Sequence, residues 1–106
     1  MKTIKFYANE TWNTINMEHI AWMYSMNRID DERLFIVLSS GKELIFEIKD
    51  AKIRTAIQLV FAEDYKKLDL VVGQEYAIIK ENGVIMMATC KEDKTFKVEG
   101  FKKVIC

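Results

Sequence analysis

A chain of 106 residues, half of them apolar, can bury one continuous core, and we expect a single compact domain over residues 1–106. Sixteen basic residues balance sixteen acidic ones, so the formal net charge is zero. This balance argues against a general nucleic-acid-coating protein, which needs surplus Lys and Arg, and against a strongly acidic nucleic-acid mimic.

The N-terminal residues carry no apolar run of signal-peptide length, and no segment approaches the roughly 18 apolar residues of a membrane span. We therefore expect a cytoplasmic protein without membrane contact. Cys90 and Cys106 are interpreted as free thiols, since nothing indicates secretion. The abundance of Lys, Ile, Glu, Met and Asn is typical of AT-rich codons and points to a low-GC bacterium or its phage.

The first predicted strand covers residues 4–8, IKFYA, which alternate weakly and are rich in strand-forming residues. Residues 9–14, NETWNT, read as a polar connection. Residues 15–26, INMEHIAWMYSM, fit both a helical stripe and a strand face. We favour a strand near 19–26, because the hairpin predicted at 33–48 needs a neighbouring strand.

A strand at 19–26 separates the side chains of this stretch onto two faces. Trp22 and Tyr24 lie on one face, and His19, Ala21 and Met23 lie on the other. At most one of the two faces can pack against the core. The other face is where the sequence predicts a partner surface.

The clearest local pattern is at 33–48, where two runs rich in Ile, Leu, Val and Phe flank turn residues. An amphipathic helix is predicted at about 50–63, because apolar residues recur there at helical spacing after Asp50, a favourable N-cap. Strand patterns then return at 68–72, 75–80, 84–90, 95–99 and 101–106.

Asn82 and Gly83 form the strongest short hairpin signal in the chain, because both central residues of a type I′ turn need positive φ. About seven or eight short strands, short connections and one helix predict an α+β domain with an antiparallel sheet. In one version of this fold, the C-terminal meander curls into a small, partly open barrel.

The sequence carries no recognisable catalytic, metal-binding or cofactor-binding motif. Cys90, Cys106 and His19 are too few and too widely spaced for a zinc site made of Cys and His alone. Cys90 with His19 is the one internal pair for nucleophilic catalysis, and Cys90 is interpreted instead as a small core residue. The carboxylates at 30–32 are interpreted as an exposed loop. We predict no enzyme activity, no catalytic residue, no metal and no cofactor.

The content of Trp, Tyr and Met predicts a protein-binding surface. Its candidate residues are Trp12, Trp22, Tyr24 and Met26. The predicted function is a small, non-enzymatic binding or regulatory protein, in its narrowest form a phage or mobile-element inhibitor of a host defence system. The predicted partner is a protein of unknown identity, and a homodimer contact is another use of such a surface.

The C-terminal strands allow an alternative function, a small nucleic-acid or nucleotide-ligand binding module. Aromatic and basic residues alternate in KTFKVEGFKK, a pattern that supplies stacking platforms beside phosphate contacts. This alternative is favoured less, because lysines on edge strands also prevent aggregation between sheets. Its contacts are Lys94, Phe96, Lys97, Phe101, Lys102 and Lys103.

Overall fold

A computed structural model describes residues 3–26, 28–65 and 67–106. Within these ranges one helix, α1 (Ala51–Ala62), accompanies eight strands in three antiparallel sheets, which confirms the predicted α+β class. The strands are β1 (Thr3–Ala8), β2 (Thr11–Asn16), β3 (Ile20–Ser25), β4 (Arg33–Leu38), β5 (Glu43–Glu47), β6 (Glu75–Lys80), β7 (Ile85–Thr89) and β8 (Phe101–Val104).

The first sheet is the hairpin β1–β2, and the polar connection predicted for residues 9–14 is wrong. Asn9 and Glu10 alone form the turn, with φ of 53° and 63°, and the chain returns at once as β2. Two consecutive positive φ values are the backbone of a type I′ hairpin turn. The strand β2 lacks a clear apolar alternation because only Ile15 among its residues is buried.

The second sheet has the strand order β3-β4-β5, and the strand predicted near 19–26 is confirmed as β3. A short 3₁₀ turn, Met17–His19, precedes it. A bulge between Ile20 and Trp22 interrupts the alternation of side chains. His19 is therefore exposed in the turn while Met23 packs against the core, so the shared face predicted for these two residues is wrong.

Helix α1 begins where the sequence predicts, because the Asp50 side chain accepts a hydrogen bond from the backbone N–H of Lys52 at 2.9 Å. The apolar stripe of the helix is buried at Ile53, Ala56, Ile57 and Val60. These residues pack against the inner sides of the sheets in the main core. The main core thus joins the helix to strands of all three sheets.

The third sheet has the order β7-β6-β8. The β6–β7 hairpin lies where predicted, but its turn is not the expected type I′ turn: Gly83 has φ of 90°, whereas Asn82 has no positive φ. The backbone N–H of Gly83 donates to the carbonyl oxygen of Lys80 at 2.9 Å, so Glu81 and Asn82 are the central residues of the turn. Strand β8 pairs with β6 on the side away from β7. The C-terminal strands are therefore not a simple meander, and within the described residues they do not close into a barrel. The strands predicted at 68–72 and 95–99 are wrong, since both segments lie outside regular secondary structure.

The two faces of strand β6 account for the strand-like sequence patterns of residues 68–72 and 95–99. Ala77 and Ile79 point into the main core, while Tyr76 and Ile78 point to the opposite face of the sheet. That face forms a second core, which the irregular segments cover with alternate apolar side chains, among them Leu68, Leu70, Phe96 and Val98. Alternating apolar and polar residues therefore occur in irregular segments that cover a sheet face as well as in β-strands.

The turn between β6 and β7 ties the first sheet to the third. The backbone N–H of Lys5 donates to the carbonyl oxygen of Gly83 at 2.9 Å, and Lys5 forms a parallel bridge with Val84. The radius of gyration is 13.9 Å, close to the value of about 13 Å expected for a folded domain of this length. Among the described residues, no helix is long and apolar enough to cross a membrane.

Candidate functional site

The sheet β3-β4-β5 presents one face to the core and one to solvent. Its register places Met23, Ile36 and Leu44 opposite one another, and these side chains pack against the main core. Neighbouring residues on each strand must point the other way. The solvent side, here called the outer face, consists of Trp22, Tyr24, Arg33, Phe35, Val37, Glu43, Ile45 and Glu47.

Three rings form a continuous row across the outer face. The ring centroids of Trp22 and Tyr24 are 4.7 Å apart with an interplanar angle of 19°. Those of Tyr24 and Phe35 are 4.8 Å apart and 5° from parallel. The Arg33 guanidinium lies 5.1 Å from the centroid of the Phe35 ring and extends the row by a cation–π contact. The four planar groups therefore hold one another in place.

Polar contacts fix two members of this row, Arg33 at one end and Tyr24 within it. The Arg33 guanidinium donates two hydrogen bonds to the Asp31 carboxylate, each 3.0 Å long. These bonds, together with the backbone N–H of Arg33, hold the pKa of the Asp31 carboxyl below its usual value. Asp31 is only 9% exposed, so the expectation of an exposed loop at 30–32 is wrong at this residue. Its charge is paired with Arg33, the first residue of β4.

Within the row, the Tyr24 hydroxyl donates to Glu43 Oε2 at 3.2 Å. Partial loss of hydration raises the pKa of the Tyr24 phenol, and the negative charge of Glu43 raises it further. The phenol is therefore neutral at pH 7 and available as a hydrogen-bond donor. Trp22 is 50% exposed and Ile45 is also exposed, so the outer face offers apolar surface to solvent.

The second exposed tryptophan lies in a different setting. Trp12 on β2 faces Tyr7 on β1, with an edge-to-face geometry and 5.8 Å between the ring centroids. Both rings line a cleft of about 550 Å³ between the β1–β2 hairpin, strand β7 and the start of α1. We call it the Trp12 cleft.

The structure thus separates the four predicted partner-binding residues. Trp22 and Tyr24 lie together on the outer face, and Met26 follows directly after β3 with its side chain exposed. Trp12 belongs to the Trp12 cleft, on another sheet. Phe35 and Ile45 were missed in the sequence, since only the strand register shows that they share the face of Tyr24. The signal for them was the alternation within the predicted hairpin.

The residues of the nucleic-acid alternative lie in mixed environments. Phe96 is 8% exposed and packs in the second core, edge-to-face with Tyr76 and stacked on Phe101. Its ring therefore has no open face for a base. Lys103 Nζ lies 3.7 Å from the centroid of the Tyr65 ring, so its charge has a partner within the chain. The other lysines of this set, Lys94, Lys97 and Lys102, are exposed.

The remaining chemically active side chains are dispersed. Cys90 is buried in the second core, and His19 is exposed next to β3. Burial raises the pKa of the Cys106 thiol, whose Sγ lies 3.4 Å from the carbonyl oxygen of Lys52. In the part of the chain that the structure describes, no group of three or more His, Cys, Asp or Glu residues is placed to hold a metal ion.

Comparison with known proteins gives no relative: no family model, no curated protein and no solved structure matches the chain. Function is therefore inferred from the chemistry of the outer face and the Trp12 cleft.

Proposed function

We propose that the protein is a non-enzymatic binding protein that acts through protein–protein contact, with the outer face as its contact surface. The observation that carries the proposal is the stacked row of Trp22, Tyr24 and Phe35 on the solvent side of the sheet. Large aromatic side chains dominate the energetics of protein interfaces. Rings already held by stacking lose little conformational freedom when a partner binds, which favours affinity.

The charges around the row favour a particular kind of partner. Arg33 is paired with Asp31, whereas Glu43 and Glu47 are exposed carboxylates on the same face. The outer face is therefore apolar at its centre and negative along β5. A partner of matching chemistry presents an apolar patch with Lys or Arg beside it. A second copy of this chain would bring like charges together, which disfavours a homodimer through this face.

The size of the face shows what else the partner must contact. Three strands about 4.8 Å apart and about 16 Å long present roughly 230 Å², whereas stable complexes bury about 800 Å² on each partner. Strand β3 is an edge strand of its sheet. A strand of the partner added to β3 would enlarge the contact and place partner side chains beside Trp22 and Tyr24.

The narrower form of the proposal is an inhibitor of a host defence system, carried by a phage or mobile element and acting in the cytoplasm. Small size and a composition typical of AT-rich codons support it. The neighbouring genes provide the test. A position among phage genes supports this form, and a position among housekeeping genes, with no mobile element nearby, contradicts it.

The contact surface is tested by replacing Trp22 with Ala. Val72→Ala is the matched control, because Val72 is also about half exposed but lies outside the outer face. Partners are first captured with the tagged wild-type chain from the source cell, and the purified partner is then titrated calorimetrically. Loss of a central aromatic anchor should weaken the Kd about thirtyfold in Trp22→Ala, with no change in Val72→Ala.

Three results would contradict the proposal. The first is equal affinity of both variants for the purified partner. The second is a concentration-dependent dimer in light scattering that Trp22→Ala abolishes, since it would assign the face to self-association. The third is salt-sensitive binding of single-stranded oligonucleotides that requires Lys97 and Lys102, since phosphate contacts weaken as salt rises.

A further inference from the structure

The Trp12 cleft has an apolar floor and an acidic rim. Its floor is made of buried or half-buried side chains from β1, α1, β7 and the connection between β5 and α1, which are Ala8, Ile48, Ile53, Ile85, Met86 and Met87. Its exposed rim carries four carboxylates against a single lysine, Lys49. The carboxylates are those of Glu10, Glu32, Glu47 and Asp50. Such a cleft excludes anions and favours a ligand that is both apolar and positively charged.

Two of these four carboxylates have no charged partner within the described residues. In the ranges that the structure describes, Glu10 and Glu32 take part in no ion pair. Asp50 caps helix α1 by accepting the backbone N–H of Lys52, and Glu47 lies across from Arg33, whose guanidinium is bound to Asp31. Two carboxylates are thus free to pair with a ligand.

The aromatic wall adds a second attraction for cations. Trp12 is 57% exposed and stands edge-to-face with Tyr7 at the mouth of the cleft. The face of an indole ring carries partial negative charge and is the best aromatic partner for a guanidinium or ammonium group. Carboxylates and an exposed indole ring therefore line one cleft.

The wall is held in position by the hairpin turn. Asn9 Nδ2 donates to the carbonyl oxygen of Ile45 at 3.2 Å, and Asn9 Oδ1 accepts the backbone N–H of Glu47 at 2.8 Å. These bonds occupy the edge of β5 that does not pair with β4, and they attach the β1–β2 hairpin to the second sheet. The cleft is consequently formed before any ligand arrives, which lowers the entropic cost of binding.

We propose that the Trp12 cleft binds the side chains of a basic segment of a protein partner. The volume of about 550 Å³ accommodates more than one such side chain. The aliphatic stem of an arginine or lysine packs on Met86 and Ile53, and its charged head reaches Glu10, Glu32 and the Trp12 ring. Glu47 belongs to both the cleft and the outer face, but the stacked rings of Trp22, Tyr24 and Phe35 do not line the cleft, so the proposal stands whether or not those rings bind a partner.

A neighbouring recess supplies a built-in control. Trp12 also lines a smaller recess, of about 370 Å³, that is lined by Lys5 and Lys80 as well. The lysines of this recess repel a cation, whereas the carboxylates of the cleft attract it. Neutralising Lys5 should therefore leave the binding of a basic peptide unchanged or strengthen it, whereas neutralising the rim carboxylates should weaken it.

The experiment uses the full chain with a single fluorescent reporter. The chain has two tryptophans, so Trp22→Phe leaves Trp12 as the sole reporter, and Trp12→Phe leaves Trp22. The probe is acetyl-tetra-arginine amide, and its neutral counterpart is the same peptide with citrulline in place of arginine. We expect a saturable change in Trp12 fluorescence with tetra-arginine, and binding at least about tenfold weaker with the citrulline peptide.

Further titrations test the role of the rim carboxylates and whether the bound cation belongs to a peptide. Glu10→Gln with Glu32→Gln should weaken tetra-arginine binding about tenfold, and raised salt should weaken it as well. Lys5→Gln should not weaken tetra-arginine binding. Equal binding of the citrulline peptide, a response of Trp22 in place of Trp12, or no effect of the Glu variants overturns the proposal. Equal affinity for spermidine overturns the assignment to a peptide.

Discussion

The two exposed tryptophans lie in surfaces of opposite construction. Trp22 belongs to a flat face made by one sheet, where each ring is supported by the next. Trp12 stands over a concave surface made by β1, β2, β7 and the start of α1. Their exposed fractions are similar, 50% and 57%, so exposure alone does not distinguish them. The difference lies in how many separate elements must pack correctly to form each surface.

This difference predicts how each surface responds to a destabilising substitution. The outer face needs only the pairing of β3, β4 and β5, which is local in sequence. The Trp12 cleft also needs the first hairpin to dock on the second and third sheets through Asn9 and Gly83. Weakening the docking should therefore alter Trp12 and leave Trp22 in its native environment.

Gly83→Ala is expected to have the largest effect. Gly83 has φ of 90°, and a Cβ atom there would overlap the carbonyl oxygen of Thr3 on β1. Strand β1 must move away, so we expect a loss of about 3 to 4 kcal/mol in the free energy of unfolding. In urea titrations with one tryptophan retained, the Trp12 signal should change at lower denaturant than the Trp22 signal.

Gly41→Ala is the matched control for that experiment. Gly41 also has φ of 90°, but nothing lies within 4 Å of the position of its Cβ atom. The Gly41→Ala substitution should lower the free energy of unfolding only by the conformational penalty of positive φ, about 1 kcal/mol. Both tryptophan signals should then shift together in the urea titration. Equal costs for the two variants would contradict the role of the Thr3 contact.

Phe35→Ala is expected to have the next largest effect, and it acts on the other surface. Phe35 is 6% exposed because Tyr24 and Arg33 cover its ring. Its removal should cost about 3 kcal/mol in the free energy of unfolding. It should also raise the mobility of Trp22, measured by fluorescence anisotropy in the Trp12→Phe background.

Trp22→Ala provides the comparison, since a half-exposed ring at the end of the row should cost less than about 1 kcal/mol. The row is a cooperative unit only if Phe35→Ala affects Trp22 while leaving Trp12 unaltered. A change of the same size at Trp12 would mean that Phe35 supports the whole domain.

The sequence predicts most of the fold because its strongest patterns are local. The hairpin at 33–48, the β6–β7 hairpin and the Asp50 cap depend on residues close in the chain, and all three are present, although the β6–β7 turn is not of type I′. The errors concern tertiary context. The segments 68–72 and 95–99 alternate because they cover β6, and an irregular covering segment cannot be distinguished from a strand by period alone.

The surfaces are less predictable than the fold. The separation of Trp22 from Met23 follows from strand alternation, but the stacked row requires the register that brings Phe35 opposite Tyr24. The Trp12 cleft joins residues from positions 7 to 87, and no local pattern relates them. Asp31 in a charged loop gave no sign of burial, since its partner Arg33 begins the next strand.

Asp31→Asn is expected to have the smallest effect, and it gives the outer face a pH dependence of its own. Hydrogen bonds from Arg33 hold the pKa of the Asp31 carboxyl low in the folded state. The pairing therefore stabilises the fold above the unfolded pKa, about 3.9, and this contribution is lost as pH falls through the folded pKa. Wild type should be more stable than Asp31→Asn at pH 7, and urea titrations should show this advantage shrinking below about pH 4.

Arg33→Gln tests the cause of this pH dependence. If Arg33 lowers the pKa of Asp31, its loss should remove the same acid-sensitive advantage, and Asp31→Asn should add no further pH dependence in the Arg33→Gln background. The tetra-arginine affinity of the Trp12 cleft should fall in Asp31→Asn at pH 7, because Arg33 loses its charged partner and lies opposite Glu47, which lines the cleft. An unchanged affinity would show that the charge of Arg33 does not act on the cleft.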